Sequence, residues 1–500
     1  MVVAKGADST RNIFSYLRSW LPAQIAMPVK RCAANGLLTD ALMPDTAEEA
    51  LEIAKDLNLP KSFLIGAATA AYQVEGGLYA CTWSDWEKSG RNGEHRAGKA
   101  CDAWNRFPDD VEHAKSLGLR MLRFSIEWSR IEPKEGIFDA SAMSRYVEWC
   151  ELLHSKGIEP MVTLHHFSEP SWFDAKGGWE RRENVQYFAR FVEYATARLA
   201  PVCKHWCTIN ELNGFAVCGW LAGVHPPGVK DDPITMLTVI RHMLVGHSAA
   251  AKAIRAASAR NLTPPSICLS LSHIVFVASW WAPFSYCLAR WLNYVFNYIY
   301  IEALLYGRLW LPYDILAWLL GWRADVRALE GTIDVIGVNH YYRSIVKFGF
   351  DASTAEAPAQ PSVTDLFLRL PLGLLLRASS VDGFEKSDMG WDLTPTSMEV
   401  LLSSMWERYR MPMIVTESGI ADGEEPDTRR SRYLAACLSV ASRLRDKGVD
   451  LRGYLFWTLL DNFEWAEGFR PRFGLLRTDF DTLERQGRES NAIIRAAVAS

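Results

Sequence analysis

The chain is expected to fold as a single (β/α)8 TIM barrel with extended loops at the C-terminal face of its strands. Three observations lead there. Eight short apolar or β-branched runs recur along the 500 residues, longer segments of helical periodicity separate them, and glycine closes several of those segments just before the next run. Strands alternating with helices imply a parallel sheet, and eight such units are enough to close it on itself.

The strand-like runs are residues 63–69, 119–126, 158–164, 204–209, 266–272, 333–338, 413–416 and 453–458. Helical patterns cover 109–117, 142–156, 185–199, 236–257, 396–409 and 430–447. The pairs Leu117-Gly118, Lys156-Gly157 and Lys447-Gly448 place glycine where a helix ends in a left-handed residue. Residues 1–59 read as an N-terminal extension, partly disordered, with a short helix near 45–57, and residues 60–500 as the barrel domain. The extension lacks the long apolar stretch of a secretory signal. Up to Asn35 it sets Lys5, Arg11, Arg18, Lys30 and Arg31 against a single acid, Asp8, which fits a transit peptide or a disordered tail. The expected location is cytoplasmic, with organelle import as the alternative.

Two inserts break the pattern. Residues 280–322 are rich in aromatics, and residues 350–388 open with an Ala/Pro/Ser/Thr stretch before the apolar run 366–376. Either insert can shape the mouth of a pocket or clad the outside of the barrel, and 352–361 also reads as disordered. Residues 267–289 contain no Asp, Glu, Lys or Arg and are long enough to span a bilayer. His273, Pro283 and several serines interrupt them, so a barrel strand followed by an aromatic loop is the expectation.

Composition narrows the function. A formal net charge of −4 offers no reason for a nucleic-acid partner. The ten cysteines show no metal-site spacing beyond the lone pair Cys203 and Cys207, so they read as reduced core thiols. The 20 tryptophans suit a large aromatic core or flat faces on which sugars stack.

In an eight-stranded barrel the active site lies at the C-terminal ends of the strands. The polar residues following the runs are therefore the candidates: Gln73, Arg123, His166, Asn210 with Glu211, Asn339 with Tyr341, Glu417, and Trp457. A buried strand end is a poor place for glutamate unless the charge is used. Glu211 and Glu417 each follow such an end, on strands four and seven, whose side chains converge across the central mouth. Two carboxyls facing each other are what glycoside cleavage needs, one to protonate the leaving oxygen and one to attack the anomeric carbon. Arg123 is positioned to keep Glu417 ionised, while apolar walls around Glu211 raise its pKa.

These stretches resemble the β-glucosidases of glycoside hydrolase family 1. The matching segments run from Phe63 to Phe480: FLIGAATAAYQVEG (63–76), RFSIEWSRIEP (123–133), TLHHF (163–167), TINE (208–211), IGVN (336–339), TESG (416–419) and WTLLDNFEW (457–465). The resemblance implies Glu211 as acid/base and Glu417 as nucleophile, with Arg123 and Tyr341 contacting the nucleophile. It also implies that Gln73, His166, Asn210, Glu464 and Trp465 hydrogen-bond the sugar, with Trp457 beneath its ring. The sequence departs from the family at Leu212 for a usual proline, Ser418 for asparagine, and His340 where tyrosine is common. A glutamate rather than a glutamine at 211 disfavours cleavage restricted to activated thioglucosides. The charge of Glu464 disfavours a 6-phosphosugar.

The expected activity is retaining hydrolysis of terminal β-glucosides, with galactosides or fucosides as further substrates. Transfer of the sugar to an alcohol or glycolipid acceptor is the first alternative, and a silent sugar-binding barrel the second. No metal or organic cofactor is expected, since both reacting groups are carboxyls. The expected partner is a small β-glycoside, with no nucleic acid and no membrane span. The apolar runs 280–291 and 366–376 leave peripheral contact with a lipid surface open.

Overall fold

A computed structural model describes residue 40 and residues 42–77, 80–278, 283–349, 367–370, 374–379 and 384–500. The targeting segment inferred within 1–39 and the disordered stretch expected at 352–361 lie outside them.

Eight parallel strands close into a barrel: β1 (Leu64–Ala68), β2 (Met121–Ser125), β3 (Glu159–Thr163), β4 (His205–Asn210), β5 (Ser266–Ala278), β6 (Ile336–Gly349), and, after the hairpin β7 (Phe367–Leu370) and β8 (Leu374–Ser379), β9 (Met413–Ser418) and β10 (Leu451–Trp457). Pairing runs from β5 through β4, β3, β2, β1, β10 and β9 to β6, and β6 returns to β5. Alternate side chains point inward. Met121, Met161, Cys207, Cys268, Val335, Ile414 and Leu455 fill the interior below the strand ends. That plug makes the barrel a packed core with one open end. Between β1 and β2 the fit is so close that a Cβ at Gly66 would lie 2.3 Å from the Met121 carbonyl oxygen.

The helix stops behave as their glycines imply. Gly118, Gly157 and Gly448 have φ of 76°, 72° and 82°. Beyond them the amides of Leu119, Ile158 and Val449 return to the carbonyls of Ala114, Leu153 and Leu444 at 3.1, 2.9 and 3.0 Å, the six-to-one bond of a Schellman close. One boundary differs: the helix before β2 spans Ala103–Ser116 with Pro108 inside it, where the sequence reading starts it after the proline. Early in a helix a proline forfeits only one backbone bond, and buried Phe107 and Val111 hold the turn in place. The helix Ala47–Lys55, capped by Thr46, buries Ala50 and Ala54 and packs on the helices Thr428–Asp446 and Asn491–Ala499.

The larger difference concerns β5 and β6, which run six and eleven residues beyond the expected ends. They stay paired above the rim, with His273 opposite His340 and Phe276 opposite Ser344. The antiparallel hairpin β7–β8 extends the free edge of β6. The apolar run expected at 366–376 thus contributes strands. No helix among the described residues is long and apolar enough to cross a membrane, and 267–278 is strand. Every cysteine among the described residues is free, and all are buried except Cys287, which is exposed and departs from the core-thiol expectation.

Candidate active site

The strand ends surround a cavity of about 580 Å³ lined by His166, Asn210, Glu211, Tyr341, Glu417, Trp457, Glu464 and Trp465 among others. Gln73 and Arg123 stand behind this lining, each fully buried.

Arg123 organises the floor. Carried inward at the end of β2, its guanidinium donates to Glu417 Oε1 at 2.7 Å, Asn210 Oδ1 at 2.7 Å, Thr163 Oγ1 at 2.9 Å and the Thr416 carbonyl at 3.2 Å. Tyr341 Oη donates to the other oxygen of Glu417 at 2.8 Å. Asn339 Nδ2 is shared between Asn210 Oδ1 at 3.0 Å and Glu211 Oε1 at 2.9 Å, and its own oxygen accepts from Thr416 Oγ1 at 2.6 Å. A continuous hydrogen-bonded chain therefore joins the two glutamates: Glu417, Arg123, Asn210, Asn339, Glu211. One carboxyl has a cation and a phenol; the other has only a neutral amide.

Strict alternation along the strands does not produce this arrangement. On β4, Cys207 faces the interior, yet Asn210, three residues on, does so too, because the pairing with β5 shifts between them. The pairing of β9 with β6 shifts in the same way between Val338 and Asn339, which stands opposite Glu417. Such bulges insert a residue and re-aim the side chains after it. Glu211 itself takes a left-handed backbone conformation, φ 43° and ψ 49°, at the start of the helix Leu212–Ala216. A non-glycine residue held there carries backbone strain, which the surrounding packing sustains.

Burial pushes the Glu211 carboxyl up to about 8, reinforced by the Glu417 charge. Burial also raises Glu417, while Arg123 and the Tyr341 hydroxyl pull it back. An unpaired guanidinium at this depth would cost several kcal/mol, so the Arg123–Glu417 pair is the ionised one. Glu464 is pushed to about 8, again by burial first, against hydrogen bonds from Trp457 and Gln73. The burial that raises it weakens the charge on which the expected exclusion of a 6-phosphate rests. Burial and the Arg123 charge hold His166 well below its usual value, so its ring is neutral and its Nε2 faces Asn210 Nδ2 at 3.0 Å. His165 turns the other way and pairs with Glu169 at 2.8 Å in the core.

Gln73 Nε2 donates to Asn462 Oδ1, the Phe463 carbonyl and Glu464 Oε2 at 3.1, 2.9 and 3.2 Å. Trp457 and Trp465 each stack with His166, their ring centroids 5.8 and 6.1 Å away. The three departures from the family pattern are absorbed by packing. Leu212 is fully buried, Ser418 Oγ meets Tyr433 Oη at 3.3 Å, and His340 points out of the barrel to the His273 carbonyl and Ser397 Oγ at 2.8 and 2.7 Å.

Further lining residues were not singled out from sequence. Trp391, stacked on Tyr342 at 5.1 Å, lines the cavity with Met389, Phe276 and Phe296, as do Trp86, Asn92 and His225. Phe276 lies on the part of β5 beyond the expected end, Trp86 on the short helix Thr82–Lys88, and the others in loops or the insert after β5, where no periodicity flags them. The sequence signals that bear on them are the tryptophan content and the aromatic-rich insert 280–322.

A (β/α)8 barrel holding two buried, differently partnered glutamates in one cavity at its C-terminal rim defines a glycosidase-type site. The chain belongs to Glycosyl hydrolase family 1, whose sequence pattern matches residues 55–287 and 315–499. It is similar to β-glucosidase A of Acetivibrio thermocellus, 32% identical over 465 residues that cover 87% of this chain and 96% of the relative. The coniferin β-glucosidase of Pinus contorta is 30% identical, with 85% and 88% covered. Among solved structures, the β-glucosidase of Thermotoga maritima in complex with glucoimidazole superposes with a TM-score of 0.77 at 28% identity, covering 89% of this chain and 99% of that one. The protein is thus a glycoside hydrolase, a retaining β-glycosidase acting on a small-molecule glycoside.

Proposed function

We propose that the enzyme removes terminal β-D-glucosyl residues, with Glu211 as proton donor and Glu417 as nucleophile. The observation that carries this reading is the asymmetry of the two carboxyls along one hydrogen-bonded chain. Glu417, kept ionised by Arg123 and oriented by Tyr341, attacks the anomeric carbon as the glycosidic bond breaks. The departing oxygen takes the proton that Glu211 holds up to about pH 8. Once Glu417 is esterified its charge is gone, and one cause of the raised Glu211 pKa goes with it. Glu211 then acts as base for the water that releases the sugar.

The remaining residues hold the sugar. Gln73, His166, Asn210, Glu464 and Trp465 offer polar edges to its hydroxyls, and Trp457 lies under the ring. Gln73 Oε1 and His166 Nδ1 are buried without a protein partner, unmet groups of the kind a sugar hydroxyl satisfies. A neutral Glu464 can both donate and accept. The aromatic flank at Trp391, Phe276 and Phe296 excludes water beside the glycosyl-enzyme, which favours passing the sugar to an alcohol when one is present.

The test is product stereochemistry with trapping. NMR of the first-formed anomer from an aryl β-glucoside is expected to show retention, and 2-deoxy-2-fluoroglucosyl labelling to land on Glu417. An inverted product, or labelling elsewhere, ends the reading.

A further inference from the structure

The catalytic cavity has an apolar neighbour. A second concavity, of about 730 Å³, lies between the helix Pro233–Ala257 and the insert after β5. Leu237, Leu244, Val245, Val295, Ile299 and Leu316 are among its walls. Most of its walls are apolar, and two of its polar side chains are already engaged: Arg241 pairs with Asp325, and Asn213 Nδ2 donates to the Ser272 carbonyl at 2.8 Å. Val217, Phe276 and Phe296 line both spaces. The two phenyl rings meet edge to face with centroids 5.7 Å apart, so the groove begins where the aromatic flank of the catalytic cavity ends.

The rim of the groove is apolar as well. On the helix Tyr313–Leu319, Tyr313, Leu316 and Ala317 line the groove, while Ile315, Trp318 and Leu319 are 50, 62 and 67% exposed. A short helix that is apolar on both sides gains nothing by facing water, and such patches mark contact with an apolar partner. Part of the outer wall comes from residues 288–314, the interval between the two matched family segments. The rest of the lining, from Asn213 to Phe276 and from Leu316 to Leu329, lies within the matched segments, so the groove joins family-type elements to a stretch outside the match.

We propose that the groove holds the hydrocarbon chain of the substrate's aglycone, so that the enzyme cleaves amphiphilic alkyl or lipid β-glycosides. This rests on the assignment of the catalytic cavity to the sugar. A sugar or peptide aglycone would enter the groove with more polar groups than its mostly apolar walls can satisfy. A hydrocarbon chain brings none, and each methylene fully buried is worth up to about fourfold in binding. Val217, Phe276 and Phe296 belong to both linings, so the groove lies against the catalytic cavity, and a chain leaving a glycosidic oxygen beside Glu211 meets the groove next.

The experiment is kcat/KM for n-alkyl β-glucosides from ethyl to dodecyl, each below its micellar concentration, with 4-nitrophenyl β-glucoside as reference. The value is expected to climb by at least about twofold per methylene over part of the series. Leu316→Glu, at a half-exposed position that the fold tolerates, and Val295→Trp, which fills the groove, are each expected to cut the dodecyl value about tenfold or more while sparing 4-nitrophenyl turnover. A dialkyl β-glucoside in phosphatidylcholine vesicles then locates the source of the chain. Turnover there places it in a bilayer and turnover of monomers alone places it in solution; both keep the groove. A flat length series, or a climb that survives both variants, overturns the proposal. A flat series with self-association that Leu316→Glu abolishes gives the groove to a second copy of the chain. Loss of ethyl and 4-nitrophenyl turnover together defeats the sugar-site assignment instead, and the proposal with it.

Discussion

Replacing Glu211 by glutamine keeps the shape of the side chain and removes the proton it delivers. With its carboxyl pushed to about 8, the native group is about 90% protonated at pH 7 and about 10% at pH 9. For an aglycone that leaves poorly, kcat/KM of the native enzyme is expected to fall about tenfold per unit well above pH 8. Glu211→Gln is expected to lose about 10²- to 10⁴-fold on phenyl β-glucoside, the usual weight of a general acid. On 2,4-dinitrophenyl β-glucoside, whose phenolate needs no proton, kcat/KM should stay close to native, while kcat drops because deglycosylation lacks its base. The assay is kcat/KM from pH 5 to 10 on both substrates. Glu464 also titrates near 8, so the deciding quantity is the dependence on leaving group. Equal losses on both aglycones would refute the role given to Glu211.

The same residue links activity to stability. The folded chain keeps a proton on Glu211 up to about pH 8, whereas the unfolded chain releases it near the ordinary 4.5. The stabilising contribution is complete below about 4.5 and is lost as pH rises through 8, by at most about 1.4 kcal/mol per unit inside that window. Glu211→Gln has no such slope. Its denaturant midpoint, relative to native, is expected to move upward between pH 5 and pH 8.

Three further perturbations follow from the geometry. Arg123→Met leaves Glu417 and Asn210 without their shared donor and is expected to cost about 3 kcal/mol or more of stability along with nearly all activity; denaturant unfolding with aryl-glucoside turnover reads both. Tyr341→Phe deletes a hydrogen bond that lowers the Glu417 pKa, so the acidic limb of kcat/KM should move to higher pH, and an unmoved limb would separate that tyrosine from the nucleophile. Gly66→Val drives a side chain into the Met121 carbonyl and Leu455 and is expected to destabilise the barrel by about 3 kcal/mol or more, seen in thermal unfolding.

Much of this molecule can be read from its residues in order. The eight strand runs are visible because a strand buried on both faces is continuously apolar, and because Gly118, Gly157 and Gly448 mark where the helices must stop. Glu211, Glu417, Arg123 and Tyr341 stand out because charge and polarity at a buried strand end call for a use. What misled was local as well. The helical pattern at 109–117 omits the first turns of the helix Ala103–Ser116, where Phe107 and Val111 pack well enough to carry Pro108 inside. The apolar run after residue 272 read as a loop, since nothing in its own composition shows that β6 waits beside it.

The order of residues along the chain thus determined the barrel, the helix ends, and which polar side chains gather at its open rim, for these follow from period, turn chemistry and burial acting over a few neighbours. Only the assembled barrel decided that Asn210 turns inward three residues after Cys207, and that Arg123 sits between the glutamates with a full set of acceptors. It alone set the insert's aromatic rings between a polar cavity and an apolar groove. Strand register, inter-strand shifts and the meeting of distant loops are settled by partners far along the chain, as Asn210 beside Ser270 and Asn339 beside Glu417 show, and a local reading does not contain them.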